Sequence, residues 1–229
     1  GRHVHLARFF PSKLVNPLNI RRFAAWLRRN GIGLVHSQTH HAHIFATRAA
    51  RMAGIPCVVH QQKTLEPLPW RRRRIFGACL RRADRVIALS GQTAVDLSET
   101  FRLPREKIAV VPNAIDKRMF RPAADKAAVR RALGLPVDGL LLGTMARLHG
   151  DKNHAAIIEA LAEIPSGKVA ATAVFAGEGP LRGELEALAK ARGLEGRVIF
   201  AGRQRPVVSW FQAMDVFVLP SKWEGQPLA

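Results

Sequence analysis

Acidic residues are scarce in this 229-residue sequence: 17 Asp and Glu stand against 36 Lys and Arg, for a formal charge of +19. The deficit is lopsided. Residues 1–121 hold 23 Lys and Arg against 6 Asp and Glu, whereas residues 122–229 hold 13 against 11. A first half this basic seeks an anionic partner (membrane, lipid phosphate or nucleic acid), although an arginine-rich genome leaves the same mark. Cysteine is nearly absent. Cys57 and Cys79 form no CxxC pair, which excludes a disulfide-built fold and favours a reducing compartment. No apolar run approaches the roughly 20 residues of a spanning helix, and no signal peptide is read, so the expectation is a cytoplasmic protein, soluble or peripheral on the membrane. Also missing are GxGxxG at a first strand and a P-loop, which argues against a dinucleotide-dependent dehydrogenase and a P-loop enzyme.

What is present is 48% hydrophobic residues, enough for one large domain or two small ones. Short apolar runs alternate with helical patterns throughout. In the first half the expected strands are 3–10, 33–37, 55–60, 85–90 and 107–111, and the expected helices 18–29, 42–52, 70–83 and 92–101. The second half repeats the pattern, with strands expected at 140–143, 169–176, 197–201 and 216–219 and helices between them. Strands alternating with helices of this length imply doubly wound parallel sheets. The expected architecture is α/β, with two Rossmann-like domains, 1–116 and 117–229, facing a cleft that holds the ligand.

In such sheets the working residues lie beyond the carboxyl ends of the strands. Leu140–Lys152 (LLLGTMARLHGDK) is a buried strand opening through Gly143 towards a helix, with Arg147 and Lys152 on the way. Two cations at a helix entry suit a diphosphate, although a solvated loop carries the same residues. Gly177-Glu178-Gly179-Pro180 follows the next strand, and glycine there serves close packing as readily as a phosphate. The last strand delivers Ser221, Glu224 and Gly225 to the same edge. Cations for a diphosphate, with a carboxylate for hydroxyl groups, describe a nucleotide-sugar site.

His36 and His60 end two strands of the first half, as site residues or as satisfied structural histidines. The His36 to His40 step matches a metal pair, but no carboxylate or cysteine joins it nearby, so no metal site is expected. Trp70 and Arg71, Arg72, Arg73 and Arg74 open a helix with an apolar stripe. Such a helix can lie on an anionic membrane, contact nucleic-acid phosphates, or simply be solvated.

The motifs VPNAID (111–116), GTMARLHGDKN (143–153), FAGEGP (175–180), RVIFAG (197–202) and DVFVLPSKWEGQPLA (215–229), in this order, resemble the retaining glycosyltransferases of family 4, with GT-B architecture. LVHSQ and GIPCVVHQQ extend the likeness, more loosely, into the first half. The resemblance implies transfer of a sugar from a nucleoside-diphosphate sugar, with retention of configuration and no metal cofactor, to a cell-envelope glycan or lipid-linked acceptor. It assigns Arg147 and Lys152 to the diphosphate, Glu224 to the donor sugar and ribose, and His60 to the neighbourhood of the transferred sugar, with His36 an acceptor-side candidate. The donor-binding set is then Gly143, Gly177, Gly179, Arg203, Ser221 and Gly225. It also places the first half against the membrane, and nucleic acid becomes an unlikely partner. The sequence departs from the family pattern in lacking the second glutamate, the glycine-rich opening loop and a glycine at Ala114, so it is expected to be a segment of a longer enzyme that alone binds donor weakly. The competing reading is a basic membrane- or nucleic-acid-binding module on a degenerate GT-B scaffold.

Overall fold

The computed structural model describes residues 16–61, 69–165 and 170–229. The expected strand at 3–10 lies outside them. Two compact units emerge, residues 1–113 with 224–227 and residues 114–223 with 228–229. The chain therefore divides at Asn113/Ala114 where the sequence suggested 116/117. Glu224–Pro227 pack with the first unit. The reason is local to that unit: the Asn113 side-chain amide donates to the Gln226 carbonyl at 2.8 Å, and the Asn113 N–H donates to the Gln226 side chain.

The first unit alternates helix and strand: α1 (Pro17–Arg29), β1 (Val35–Ser37), α2 (His40–Ala53), β2 (Cys57–Gln61), α3 (Trp70–Arg82), β3 (Arg85–Ala88), α4 (Gly91–Phe101) and β4 (Ile108–Val110). Its four strands are all parallel, in the order β1-β2-β3-β4. Helix α1 starts where Asn16 accepts the Leu18 N–H and Pro17 presets the first turn. Its buried stripe of Ile20, Ala24 and Leu27 has the helical period. Gly54, at φ 73°, ends α2 in the left-handed conformation that other residues enter at a cost. Val59, Val86 and Ala88 of the sheet pack with Phe76, Leu80, Leu97 and Phe101 of α3 and α4.

The second unit holds α5 (Lys126–Ala132), β5 (Leu140–Thr144), α6 (His154–Ala162), β6 (Ala171–Phe175), α7 (Arg182–Ala191), β7 (Val198–Phe200), α8 (Val208–Ala213) and β8 (Val216–Phe217). Here the order is β7-β6-β5-β8, again all parallel. The winding reverses at β5, because β6 lies on one side of it and β8 on the other. Strand β8 is two residues shorter than expected, yet the Val218 N–H still donates to the Gly143 carbonyl at 2.8 Å. One face of this sheet packs Phe175 against Ile157, Ile158, Leu161 and Leu185. The other packs Leu141 and Val174 against Trp210, Ala213 and Met214.

Arg130 of α5 ties this second face together. It is 3% exposed and donates to the carbonyls of Ala213, Val137 and Gly139 at 2.8, 3.0 and 3.2 Å. It also pairs with Asp215 at 2.5 Å. The same carboxylate accepts the Leu141 N–H, and Lys126 pairs with its other oxygen, both at 2.8 Å. Burial works to raise the Asp215 pKa, but the Leu141 N–H and the two cations outweigh it and hold it at about 2.

Candidate functional site

In an open parallel sheet the crevice for a ligand lies at the carboxyl edge where the strand order reverses. In the second unit that point falls between β5 and β8. The loop leaving β5 carries Arg147 and Lys152, and the loop leaving β8 carries Ser221. The two loops are joined: the Lys222 N–H donates to the Asp151 carbonyl at 2.9 Å. The structure therefore brings Arg147, Lys152 and Ser221 to one edge of one unit. Glu224 and Gly225, also expected there, are half-buried and pack with the first unit.

Arg147 keeps 69% of its side chain exposed, with the Asp151 carboxylate 3.9 Å away. Asp151 is itself bonded to the His149 ring at 2.8 Å. Burial alone would raise the Asp151 pKa, but His149, Lys152 and Arg147 together bring it below its ordinary value. The loop is thus a cluster of positive charge organised around one carboxylate.

The glycines explain why the loop can sit where it does. A Cβ on Gly177 would lie 1.9 Å from the Ala146 carbonyl oxygen, and one on Gly179 would lie 2.2 Å from that of Leu148. Only bare backbone allows the 177–179 turn to close on the Arg147 loop. Two hydrogen bonds then lock the contact, Leu148 N–H to the Glu178 carbonyl at 3.0 Å and Leu181 N–H to the Leu148 carbonyl at 3.2 Å. These glycines shape the site through backbone packing. Gly143 is similar, because a Cβ there would overlap the Met214 side chain at 2.2 Å. Gly177→Ala is therefore expected to destabilise the fold by about 1–3 kcal/mol through overpacking. Thermal unfolding would register that loss, and an unchanged midpoint would remove the packing role.

Three polar groups stand at this edge, of which sequence reasoning named Ser221 and missed Thr144 and His154. The Thr144 hydroxyl at the end of β5, both ring nitrogens of His154 at the start of α6, and the Ser221 hydroxyl are buried without a hydrogen-bond partner among the described residues. His154 stands edge-on to Phe175 at 5.1 Å, and burial pushes its pKa down to about 4. The signal available was position alone, since each residue follows a strand or opens a helix. Arg203, in contrast, is exposed in the loop after β7, two strands away from the reversal.

In the first unit His36 and His60 stack at 5.4 Å, with ring planes 14° apart. Parallel pairing of β1 with β2 sets this contact: His36 is in register with Val58, two residues before His60. The His60 ring nitrogens have no partner among the described residues. Burial, then the neighbouring His36, lowers the His60 pKa. His43 is a structural histidine, buried and bonded to the Ser37 hydroxyl at 2.9 Å. Among the described residues no three His, Cys, Asp or Glu side chains converge as metal ligands. Arg71, Arg72, Arg73 and Arg74 are all exposed on α3, with Arg71 over the Trp70 ring at 5.2 Å. No helix of the described residues is long and apolar enough to cross a membrane.

Comparison with known proteins agrees with this layout. Among curated relatives, EpsF of Bacillus subtilis is 32% identical over 225 residues, covering 93% of this chain and 58% of EpsF. The UDP-Gal:alpha-D-GlcNAc-diphosphoundecaprenol alpha-1,3-galactosyltransferase of Escherichia coli is 30% identical, with 89% of this chain and 55% of that protein covered. The lipopolysaccharide core biosynthesis mannosyltransferase LpsB of Rhizobium meliloti is 29% identical over 76% of this chain and 56% of its own length. The chain thus spans little more than half of each. Among solved structures, Anabaena Alr3699/HepE in complex with UDP-glucose superposes with a TM-score of 0.78 at 23% identity, over 90% of this chain and 58% of that one. Sucrose-phosphate synthase from Thermosynechococcus elongatus gives 0.79 at 21%, over 93% and 56%. These likenesses establish the GT-B fold. The family model for glycosyltransferase family 4 matches residues 1–118 and that for glycosyl transferases group 1 matches residues 125–229. With both sheets, the motif order and the strand reversal accounted for by one pattern, the chain belongs to glycosyltransferase family 4.

Proposed function

We propose that this chain is part of a glycosyltransferase that moves a sugar from a nucleoside-diphosphate sugar to a cell-envelope glycan or lipid-linked acceptor, with retention of configuration. The observation that carries the reading is the placement of Arg147 and Lys152 on the loop that leaves β5 at the strand reversal. When the bond from the sugar to the diphosphate breaks, negative charge accumulates on the departing oxygen. Preorganised cations are worth most where charge develops. Arg147 and Lys152 supply that compensation, so the reading calls on no metal ion. The unpartnered Thr144, His154 and Ser221 groups at the same edge are what a polar ligand or its ordered water would satisfy.

Glu224 and Gly225 are assigned to donor hydroxyls, and Arg203 to the outer rim. His60, stacked on His36, is assigned to the acceptor side. The envelope acceptor draws support from the E. coli galactosyltransferase and from LpsB, whose names state a diphosphoundecaprenol-linked acceptor and lipopolysaccharide core biosynthesis. Uridine is the first base to test, since HepE has been solved with UDP-glucose. The setting that fits is the cytoplasmic face of the membrane, with the basic first unit towards the lipid.

Calorimetric titration of UDP, GDP and ADP into the chain tests the donor site. One of the three is expected to bind; none binding to a chain that circular dichroism shows to be folded would overturn the assignment. Retention is checked separately on the product. An anomeric proton coupling unlike that of the donor would sink it.

A further inference from the structure

Helices α2 and α3 together carry eight arginines and no Asp or Glu. They pack along a tight seam: the Thr47 hydroxyl meets the Cys79 thiol at 3.1 Å, that thiol donates to the His43 carbonyl at 3.2 Å, and His43 stacks on Phe76 at 5.9 Å. Above the seam lies a groove of about 430 Å³. Ile44, Ile75 and Ala78 line it with apolar surface around the Thr47 and Cys79 side chains of the seam, and Arg48 of α2 and Arg74 and Arg82 of α3 complete the lining. None of these three arginines forms an ion pair among the described residues; Arg82 reaches only the Ala78 carbonyl, at 3.4 Å.

The spacing along α3 orders these groups. Trp70, Arg74, Ala78 and Arg82 recur every four residues, so they form one stripe along the helix. The stripe runs from an exposed indole (63% exposed), through a guanidinium and a small apolar gap, to a second guanidinium. Exposed tryptophan beside arginine is the side-chain pair that settles at a lipid headgroup. Trp70, Arg74 and Arg82 belong to one helix and are legible from its sequence. Arg48 joins them because α2 packs against α3.

The chemistry of the groove selects among anions. A free phosphate would answer the arginines and leave Ile44, Ile75 and Ala78 uncovered. A nucleic-acid backbone would do the same, leaving the three apolar side chains uncovered. A phosphate diester carrying alkyl chains answers both parts.

We propose that the α2–α3 groove is a binding site for an anionic membrane phospholipid, with Arg48, Arg74 and Arg82 on the phosphate and Ile44, Ile75 and Ala78 against the first methylenes of the chain. The proposal rests on the first unit meeting an anionic membrane and is independent of the donor site. It adds a defined pocket to what would otherwise be a diffuse charged surface.

Ala78→Trp separates the two, because it fills the groove and keeps every charge. The measurement is co-sedimentation with vesicles of phosphatidylcholine alone and of an equal mixture with phosphatidylglycerol. The unaltered chain is expected to pellet with the mixed vesicles only. Ala78→Trp is expected to lower that partition about tenfold, because the arginines can no longer bring a lipid phosphate into charge-assisted contact. Partition that is unchanged or raised overturns the groove and leaves the charged surface standing. Failure of the unaltered chain to bind mixed vesicles overturns the membrane reading itself. Should Ala78→Trp misfold, the pair Arg48→Gln with Arg82→Gln is compared with Arg51→Gln with Arg72→Gln, which removes the same charge outside the groove. The first pair is expected to lose about tenfold more, and equal losses overturn the proposal. Tighter binding to a single-stranded oligonucleotide than to the mixed vesicles, undiminished by Ala78→Trp, also overturns it.

Discussion

Replacing Arg147 and Lys152 together with alanine is expected to weaken nucleoside-diphosphate binding by at least about 100-fold while leaving the fold intact. A hydrogen bond to a charged group contributes about 1.5–3 kcal/mol, and two such groups are removed. The fold should survive because Arg147 is 69% exposed and its nearest carboxylate, Asp151, is also held by His149. Titration of the base that binds the unaltered chain would read the loss, with circular dichroism as the control. A double variant that binds nucleotide as well as the parent would remove the loop leaving β5 from the donor site. Lys152→Arg is the informative companion. Because it keeps the charge and changes the geometry, it should recover part of the affinity.

Arg130→Met is expected to have the largest effect on stability, about 3–5 kcal/mol, because each buried acceptor left without its donor costs about 1–3 kcal/mol. The loss is large because Arg130 satisfies three carbonyls from two segments as well as Asp215. Methionine fills much of the volume but leaves those acceptors unpaired. Denaturant unfolding of the second unit would measure it. The same anchor sets an acid limit. The Asp215 carboxyl is held at about 2, below its ordinary 3.8. A depressed carboxylate stabilises the folded state above its unfolded pKa, and that contribution disappears as pH falls through the folded value. About 2 kcal/mol should therefore be lost between roughly pH 4 and pH 2, and Asp215→Asn should flatten that part of the profile. A profile identical in the variant would place the acid sensitivity elsewhere.

Much of the fold was legible in local pattern. Asn16-Pro17, Gly54 and the apolar stripe of α1 mark helix limits with their own chemistry, and the observed elements fall within a few residues of those expected. The motifs from Val111 to Ala229 led to the family before any contact was known. Charge asymmetry was legible as well, because it is a property of composition.

Strand order was not legible, and it is what makes the site. Nothing in LLLGT or VFVL says that these two runs are neighbours, whereas the pairing of Leu142 with Val216 creates the reversal at which Arg147 and Lys152 stand. The glycines were visible, but their reason was not: Gly177 and Gly179 are bare because the carbonyls of Ala146 and Leu148 come within about 2 Å of where a Cβ would sit. Glu224 follows the last strand as Ser221 does, and only the tertiary contacts show that it packs with the first unit. Nothing in the residues around Arg130 marks it as buried, and only the convergence of Val137, Gly139, Ala213 and Asp215 buries it. Periodicity, capping and composition act within a few residues of one another, so the sequence by itself determined the elements, the family motifs and the basic first half. Register, burial of a charge and the meeting of two helices depend on segments tens of residues apart. The switch point, the Arg130–Asp215 anchor and the groove between α2 and α3 were therefore decided by the tertiary structure.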